Sequence, residues 1–294
     1  MVASANPRRD ADAGRLTLSA GAARADGTDS PNGLVVNLSS VTAGYRRRVA
    51  LENVSLSVPA GAMLALIGPN GSGKSTLLKL LLGLLSPWSG TVSVLGETPR
   101  ASRVRVGYVP QAAAGDWNFP ATVGEVVMMG RYGRLGLFRR PTRADREAVS
   151  RALERVGMAE RIGDQVGELS GGQQQRTFVA RALVQEPRIL LLDEPLSGVD
   201  AVTEQDVYAL LRQLRDTGVT VLFTTHNLST VAQHFDMALF LNRRLIAVGP
   251  PHEVFNEHNL RAAYGPSMAL VKIGDRYFAV DTGDHHAESG SPHG

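Results

Sequence analysis

The chain has 294 residues, 43% of them hydrophobic, enough to bury a large core in one or two domains. It contains no cysteine, which excludes disulfides and cysteine-ligated metal centres. The formal net charge of +3 comes with short, scattered arginine runs, so composition does not indicate a nucleic-acid-binding protein. No apolar run reaches the roughly 18 residues of a membrane-spanning helix, so we predict no helix that crosses a membrane.

The first residues of the chain carry little structural signal. Residues 1–33 contain arginines and aspartates but no apolar stretch of a signal peptide, so we predict a disordered leader there. Two runs, residues 34–41 and 49–58, then alternate apolar and polar positions, which predicts an antiparallel strand pair. Tyr45 lies between these runs. The residues alone leave two readings of it, an anchor that packs on the hairpin or an aromatic that stacks on a nucleotide base.

A glycine-rich segment lies between a short apolar run, residues 63–67, and a helical pattern, residues 76–85. A strand, a glycine-rich turn and a helix are the context that a phosphate-binding loop requires. The glycines let successive N–H groups and the helix N-terminus point at one anion. We expect Lys74 to reach the β- and γ-phosphates and the Ser75 hydroxyl to hold Mg²⁺. The predicted nucleotide-binding residues are Gly68, Pro69, Asn70, Gly71, Ser72, Gly73, Lys74, Ser75 and Thr76.

Lysine is rare in this chain. Only Lys74, Lys79 and Lys272 occur among 31 basic residues. A compact, flexible ammonium suits a phosphate better than a planar guanidinium, so a lysine at position 74 favours the phosphate-binding interpretation over a glycine-rich turn without a ligand.

The region after the next predicted strand, residues 104–109, is irregular. Gln111 follows that strand and is either an ordinary loop residue or an amide presented to a catalytic centre. Residues 112–141 carry Trp117, Leu135, Leu137 and Phe138 among small and glycine residues. These apolar side chains either complete a small helical core or face a partner protein. The glycines and arginines on either side of them are unlike a helix core and favour the interface with a partner.

A second glycine pair precedes the helical pattern over residues 174–185. Ser170 is predicted to cap that helix, and Gly171, Gly172 and Gln173 follow it directly. The segment is either an ordinary helix N-cap or a second phosphate site at a helix N-terminus.

Residues 189–192 form a continuous apolar run that ends in Asp193 and Glu194, the pattern of a central parallel strand with acids at its carboxyl end. Ligands bind at that edge in doubly wound sheets. We expect Asp193 to hold the Mg²⁺ shell and Glu194 to polarise a water. A second buried strand, residues 219–225, ends at His226 and is predicted to lie beside the first, which would bring His226 to the same phosphate. Otherwise His226 is a packing or loop residue.

The order and spacing of these motifs, over residues 34–264, resemble the nucleotide-binding subunit of ATP-binding cassette transporters. The signature, residues 169–173, is the discriminating element, because other P-loop proteins lack it just upstream of the strand that ends in Asp193. The matching residues are the P-loop residues 68–76, the Q-loop Gln111, the signature residues 169–173, the Walker B residues 189–193 with Glu194, the D-loop residues 197–200, the switch His226 and the A-loop Tyr45.

The resemblance implies an α/β fold, with a P-loop NTPase core of mostly parallel sheet, an antiparallel β subdomain and a helical signature-motif subdomain. The implied ATPase domain covers residues 34–264, with its helical subdomain at about 112–185. A short C-terminal extension, residues 265–280, and a disordered tail, residues 281–294, are predicted to follow.

The resemblance also implies the chemistry. Such subunits bind ATP between the P-loop of one copy and the signature of another, so two copies are expected to meet head to tail. Ser75, Gln111 and Asp193 would organise Mg²⁺, Glu194 would act as general base, and His226 would contact the γ-phosphate. The signature residues Ser170, Gly171, Gly172 and Gln173 of the second copy would close over that phosphate.

Residues 116–120 and 129–140 resemble importers of manganese or zinc, with iron-chelate importers as the nearest alternative. The implied partners are an integral membrane permease, contacted by residues 112–141, and indirectly an extracytoplasmic metal-binding protein. The implied location is the cytoplasmic face of the membrane. Another class is a non-transport cassette ATPase of translation or DNA repair, but those usually carry two cassettes or long insertions. A degenerate regulator is disfavoured because Lys74, Glu194 and His226 are all present.

Overall fold

The computed structural model describes residues 33–111, 120–136, 139–197, 199–274 and 276–282. Trp117, Leu137 and Phe138 lie outside these ranges, as do most of the predicted leader and tail. The strands are β1 Leu34–Tyr45, β2 Arg48–Pro59, β3 Met63–Ile67, β4 Ser89–Val94, β5 Val106–Val109, β6 Ile189–Leu192, β7 Thr220–Thr225, β8 Met237–Asn242, β9 Arg244–Gly249, β10 Met268–Ile273 and β11 Arg276–Asp281.

The largest sheet has six strands in the order β5-β6-β7-β3-β8-β9. The first five of these strands run parallel, and β9 pairs antiparallel with β8 at one edge. Every residue of β3, β6 and β7 is buried. The continuous apolar sequences of β3 and β6, and the apolar Val221, Leu222 and Phe223 within β7, are typical of strands covered on both faces, so these three strands form the centre of the molecule.

A second, antiparallel sheet has the order β2-β1-β4. Its strands β1 and β2 form the predicted hairpin, which is confirmed, and Arg46 takes a left-handed backbone conformation, with φ of 54°, at the turn. The buried side chains of this sheet, among them Val41 and Leu56, share one apolar cluster with Leu64 and Leu66 of β3. The cluster attaches the antiparallel sheet to the central one, close to the start of the phosphate-binding loop.

The helices cover both sides of the central sheet, and those between β5 and β6 form a helical lobe whose apolar side chains share one core cluster with β6 and β7. They are α1 Lys74–Leu81, α2 Pro99–Ser102, α3 Val123–Met129, α4 Tyr132–Leu135, α5 Arg143–Arg155, α6 Gly171–Leu183, α7 Ala201–Asp216, α8 Leu228–His234, α9 Pro251–Val254 and α10 Glu257–Tyr264. Capping boxes start α3, α5 and α6, each with a reciprocal pair of hydrogen bonds.

The lobe is held together at the junction of α3, α5 and α6. The Arg131 guanidinium pairs with Asp145 at 2.9 Å and donates a hydrogen bond to the Val184 carbonyl at 3.2 Å, at the C-terminal end of α6. Hydrogen bonds from Thr142, with a further contribution from Arg131, lower the pKa of Asp145 to about 2. The corner between α3 and α5 is therefore tied to the far end of the helix that begins at the signature residues.

The predicted fold class is confirmed, and several element boundaries differ from prediction. Helix α1 ends at Leu81 rather than Leu85, because Gly83 adopts a left-handed φ of 65° that terminates the helix. Helix α6 begins at Gly171 rather than Gln174, since the capping box encloses both glycines. Part of the predicted loop at 130–141 is the short helix α4. The domain boundaries stay predictions. Within the described ranges, no helix is long and apolar enough to cross a membrane.

Candidate nucleotide-binding site

Four predicted motifs follow four neighbouring strands. Strands β5, β6, β7 and β3 are parallel, and residues at or near their carboxyl ends pair across the sheet, Val109 with Leu192, Leu192 with Phe223, and Ile67 with Thr225. Because parallel strands present their carboxyl ends at one edge, the residues that follow each strand share that edge. The sheet thereby places Gln111, the Asp193-Glu194 pair, His226 and the phosphate-binding loop at one edge. The sequence analysis predicted that the strands of Asp193 and His226 are neighbours, and they are.

The phosphate-binding loop approaches neighbouring backbone closely at two glycines. A Cβ at Gly68 would lie 2.1 Å from the Leu241 carbonyl oxygen, and one at Gly73 would lie 2.7 Å from the Ala50 carbonyl oxygen. Gly73 also has φ of 105° and no side chain with which to cap α1. The loop therefore requires glycine at both positions, and the first-turn N–H groups of α1 remain available to an anion.

Lys74 is 6% exposed and folds back over the loop. Its ammonium donates hydrogen bonds to the carbonyls of Gly68 at 2.7 Å and Pro69 at 3.2 Å, and lies 3.8 Å from a Glu194 carboxylate oxygen. Burial lowers the pKa of Lys74, and the Glu194 and Asp193 carboxylates oppose that shift. The positive charge is thus held at the loop mouth by partners that a phosphate can replace.

Glu194 occupies the centre of this edge. Its backbone is in the left-handed region with φ of 43°, which is uncommon for a residue other than glycine. Its carboxylate accepts a hydrogen bond from the Gln111 amide at 3.3 Å and faces Lys74 on the other side. The structure therefore brings Lys74, Gln111 and Glu194 together, although they are far apart in sequence.

Thr224, which the sequence analysis did not single out, connects the two acids. Its buried hydroxyl donates to Asp193 Oδ1 at 2.9 Å and accepts from the Glu194 N–H at 2.7 Å. The hydroxyl thereby orients the Asp193 carboxylate and holds the strained Glu194 backbone. A hydroxyl residue near the carboxyl end of a buried strand that neighbours the strand of the acids is the signal that could have identified it.

We expect Thr224→Val to lower both stability and ATP turnover. Valine keeps the shape but leaves the Glu194 N–H and an Asp193 oxygen without this partner, at a cost of about 1–3 kcal/mol. Thr220→Val is the matched control, because Thr220 is also buried in β7 and accepts from the Gly61 N–H at 2.9 Å, away from the acids. Urea unfolding and phosphate release measure the two effects. Equal turnover in the two variants would show that Thr224 is structural only.

His226 is exposed and follows β7 directly. It lines a cavity of about 120 Å³ together with Glu194, Ser197, Thr224 and Tyr208. The cavity joins the end of β6 to the end of β7, so His226 and Glu194 face a common space.

The signature residues lie on the helical lobe. Ser170 Oγ accepts from the Gln173 N–H at 3.4 Å, while Gln173 Oε1 accepts from the Ser170 N–H at 3.0 Å. A Cβ at Gly172 would lie 2.8 Å from Thr203 Cγ2, which places the signature against the start of α7. Within the part of the chain that the structure describes, no hydrogen bond or ion pair joins these residues to the phosphate-binding loop of the same chain.

A family model described as ABC transporter matches residues 51–197. The manganese transport system ATP-binding protein MntB of Bacillus subtilis is 47% identical over 237 residues, covering 81% of this chain and 95% of that protein. This chain belongs to the ABC transporter family. It is an ATP-binding subunit of the kind that hydrolyses ATP to power transport.

Other members of the ABC transporter family are also similar to this chain over most of its length. The zinc transport system ATP-binding protein TroB of Treponema pallidum is 47% identical over 258 residues, covering 87% of this chain and 97% of that protein. A solved ABC transporter of the metal-chelate type, in an inward-facing conformation, is 28% identical with a TM-score of 0.71, covering 84% of this chain and 96% of that chain. An ATP-binding cassette in its ADP conformation is 26% identical with a TM-score of 0.68, covering 75% and 92%.

Proposed function

We propose that this ABC subunit hydrolyses ATP to drive uptake of a divalent metal ion, manganese or zinc, through a separate membrane permease. The support for the metal is the 47% identity to a manganese and to a zinc transport subunit, each over more than four-fifths of the chain. The observation that carries the chemistry is the meeting of Lys74, Gln111 and Glu194 at the mouth of the phosphate-binding loop.

Glu194 serves as the general base in this proposal. Its carboxylate accepts a proton from the attacking water as the water oxygen bonds to the γ-phosphorus and the bond to the β-phosphate oxygen breaks. Lys74 and the N–H groups of the loop hold the phosphates, and His226 contacts the γ-phosphate across the shared cavity. The fixed position of Glu194, held through Gln111 and Thr224, supports this role.

The donors proposed for Mg²⁺ are the Ser75 hydroxyl, the Gln111 amide and the Asp193 carboxylate. All three offer oxygen, the donor type that this cation prefers, and Ser75 is exposed beside Lys74 in the first turn of α1. When bound, Mg²⁺ neutralises charge on the β- and γ-phosphates.

Two copies would assemble head to tail, each closing the other's site with Ser170, Gly171, Gly172 and Gln173. The support is the place of these residues at the N-terminus of α6 on the helical lobe, where the described residues show no hydrogen bond from them to the phosphate-binding loop of the same chain. Tyr45 would stack on the base. The proposed location is the cytoplasmic face of the membrane, and residues 112–141 are the proposed permease contact. An extracytoplasmic metal-binding protein would deliver the ion.

Transport is tested with the full-length chain purified together with the permease from native membranes and placed in vesicles. We expect ATP-dependent uptake of Mn²⁺ or Zn²⁺ that is lost when the chain carries Glu194→Gln. Purification of the chain without any integral membrane protein would favour a non-transport ATPase instead.

The alternative substrate is iron. The chelated iron transport system protein YfeB of Yersinia pestis is 43% identical over 238 residues, which favours iron as a second candidate. The same vesicles distinguish the two, since uptake of iron without Mn²⁺ or Zn²⁺ would contradict the first proposal.

A further inference from the structure

An exposed aromatic corner, defined here as Tyr45, Lys79 and Trp88, lies where the end of the β1–β2 hairpin meets the last turn of α1. Tyr45 is 44% exposed and Trp88 is 47% exposed. The Lys79 ammonium lies 5.5 Å from the centre of the Tyr45 ring, within the range of a cation–π contact. Two large aromatic side chains and one of the three lysines therefore share one small surface.

The backbone holds this corner against the loop. Tyr45 pairs with Arg48 at the end of the β1–β2 hairpin. Ala50 lies two residues after Arg48, and its carbonyl oxygen leaves no room for a Cβ at Gly73. The Trp88 N–H donates to the Thr42 carbonyl at 2.8 Å, and a Cβ at Gly44 would lie 2.9 Å from the Trp88 ring. The hairpin end is thus fixed next to the start of α1, where the phosphates are proposed to bind.

Lys79 reaches this corner from α1, the helix that begins at the phosphate-binding loop. Its side chain is half-buried, and within the described ranges its ammonium faces the Tyr45 ring rather than a carboxylate. A cation on one face of an aromatic ring restricts the ring and leaves the opposite face free for stacking.

We propose that Lys79 is a positioning residue for nucleotide binding, which holds the Tyr45 ring so that its opposite face receives the base of the nucleotide. The inference rests on the proposed function, because it takes the ligand of the loop to be a nucleoside triphosphate. Lys79 acts through Tyr45 and touches neither the phosphates nor the water.

The test compares two ligands that share the phosphates and differ in the base. Lys79→Met removes the charge and keeps the length of the side chain. We expect the Kd for ATP to rise about two- to fivefold, as loss of a surface cation–π contact predicts, and the Kd for inorganic tripolyphosphate to stay the same. Lys79→Arg should restore the ATP affinity, since a guanidinium also binds a ring face. Turnover at saturating ATP should not change.

Lys272→Met is the matched control. Lys272 lies 5.2 Å from the ring of Tyr277 in the β10–β11 hairpin, so this variant removes the same charge and the same kind of contact away from the loop. Both affinities should stay at the wild-type value.

A double-mutant cycle completes the test. In a Tyr45→Leu background, Lys79→Met should have no further effect on ATP binding. An equal loss for ATP and tripolyphosphate, or an undiminished loss in the Tyr45→Leu background, would overturn the proposal, because Lys79 would then act on the phosphates or on the fold. Lys79→Gln removes the same charge with a different side chain, and the melting temperatures of both variants are measured. If one of them fails to fold, the other still tests the proposal. Failure of the wild-type chain to bind either ligand would instead contradict the proposed function.

Discussion

Glu194→Gln should still bind ATP and should hydrolyse it at least about 100-fold more slowly than the wild-type chain, the range that loss of a general base produces. Glutamine keeps the shape and an oxygen that accepts from the Gln111 amide, which lies 3.3 Å from the carboxylate in the structure. It cannot take the proton of the attacking water. Binding and catalysis should therefore separate in this variant.

The measurements are ATP affinity, phosphate release and the oligomeric state with ATP by size-exclusion chromatography. We expect the variant to accumulate as an ATP-bound dimer, since the closed pair is not released by hydrolysis. Glu204→Gln is the matched control, because Glu204 lines the same cavity but accepts a hydrogen bond from Tyr208 at 3.1 Å. Its turnover should stay near the wild-type rate. Near-normal turnover of Glu194→Gln would place the base elsewhere.

Lys74→Ala should weaken ATP binding about 10- to 100-fold and lower the rate as well. A hydrogen bond to a charged group is worth about 1.5–3 kcal/mol, and the buried Lys74 ammonium is the positive charge at the mouth of the loop. The loop itself should survive, since its bends depend on Gly68 and Gly73 rather than on the lysine.

Equilibrium binding of ATP and of tripolyphosphate, with melting temperatures, measures this effect. Both ligands should lose affinity, unlike in Lys79→Met, because Lys74 is proposed to act on the phosphates that the two ligands share. Lys272→Ala, which removes a lysine from the C-terminal hairpin, serves as the control for net charge. Unchanged binding of ATP by Lys74→Ala at a normal melting temperature would refute the phosphate-binding role of the loop.

The sequence by itself determined those parts of the site that lie on continuous stretches. A buried apolar run, the glycines at 68, 71 and 73, and the lysine and hydroxyl at 74 and 75 must form a strand, a tight turn and a helix start, because each local choice favours the same backbone. The apolar run before Asp193 and Glu194 likewise identified a central strand, and the order of the motifs identified the family.

Only the tertiary structure decided which distant side chains meet. Thr224 lies 31 residues from Asp193, and Gln111 lies 83 residues from Glu194; the strand register and an irregular loop set these contacts, and neither follows from a sequence period. Lys79 was noted as a rare lysine, yet its contact with Tyr45 required α1 to pack beside the β1–β2 hairpin. The start of α6 was misplaced for a related reason. Glycines disfavour a helix locally, and the Ser170–Gln173 capping box together with packing on α7 outweighs that preference.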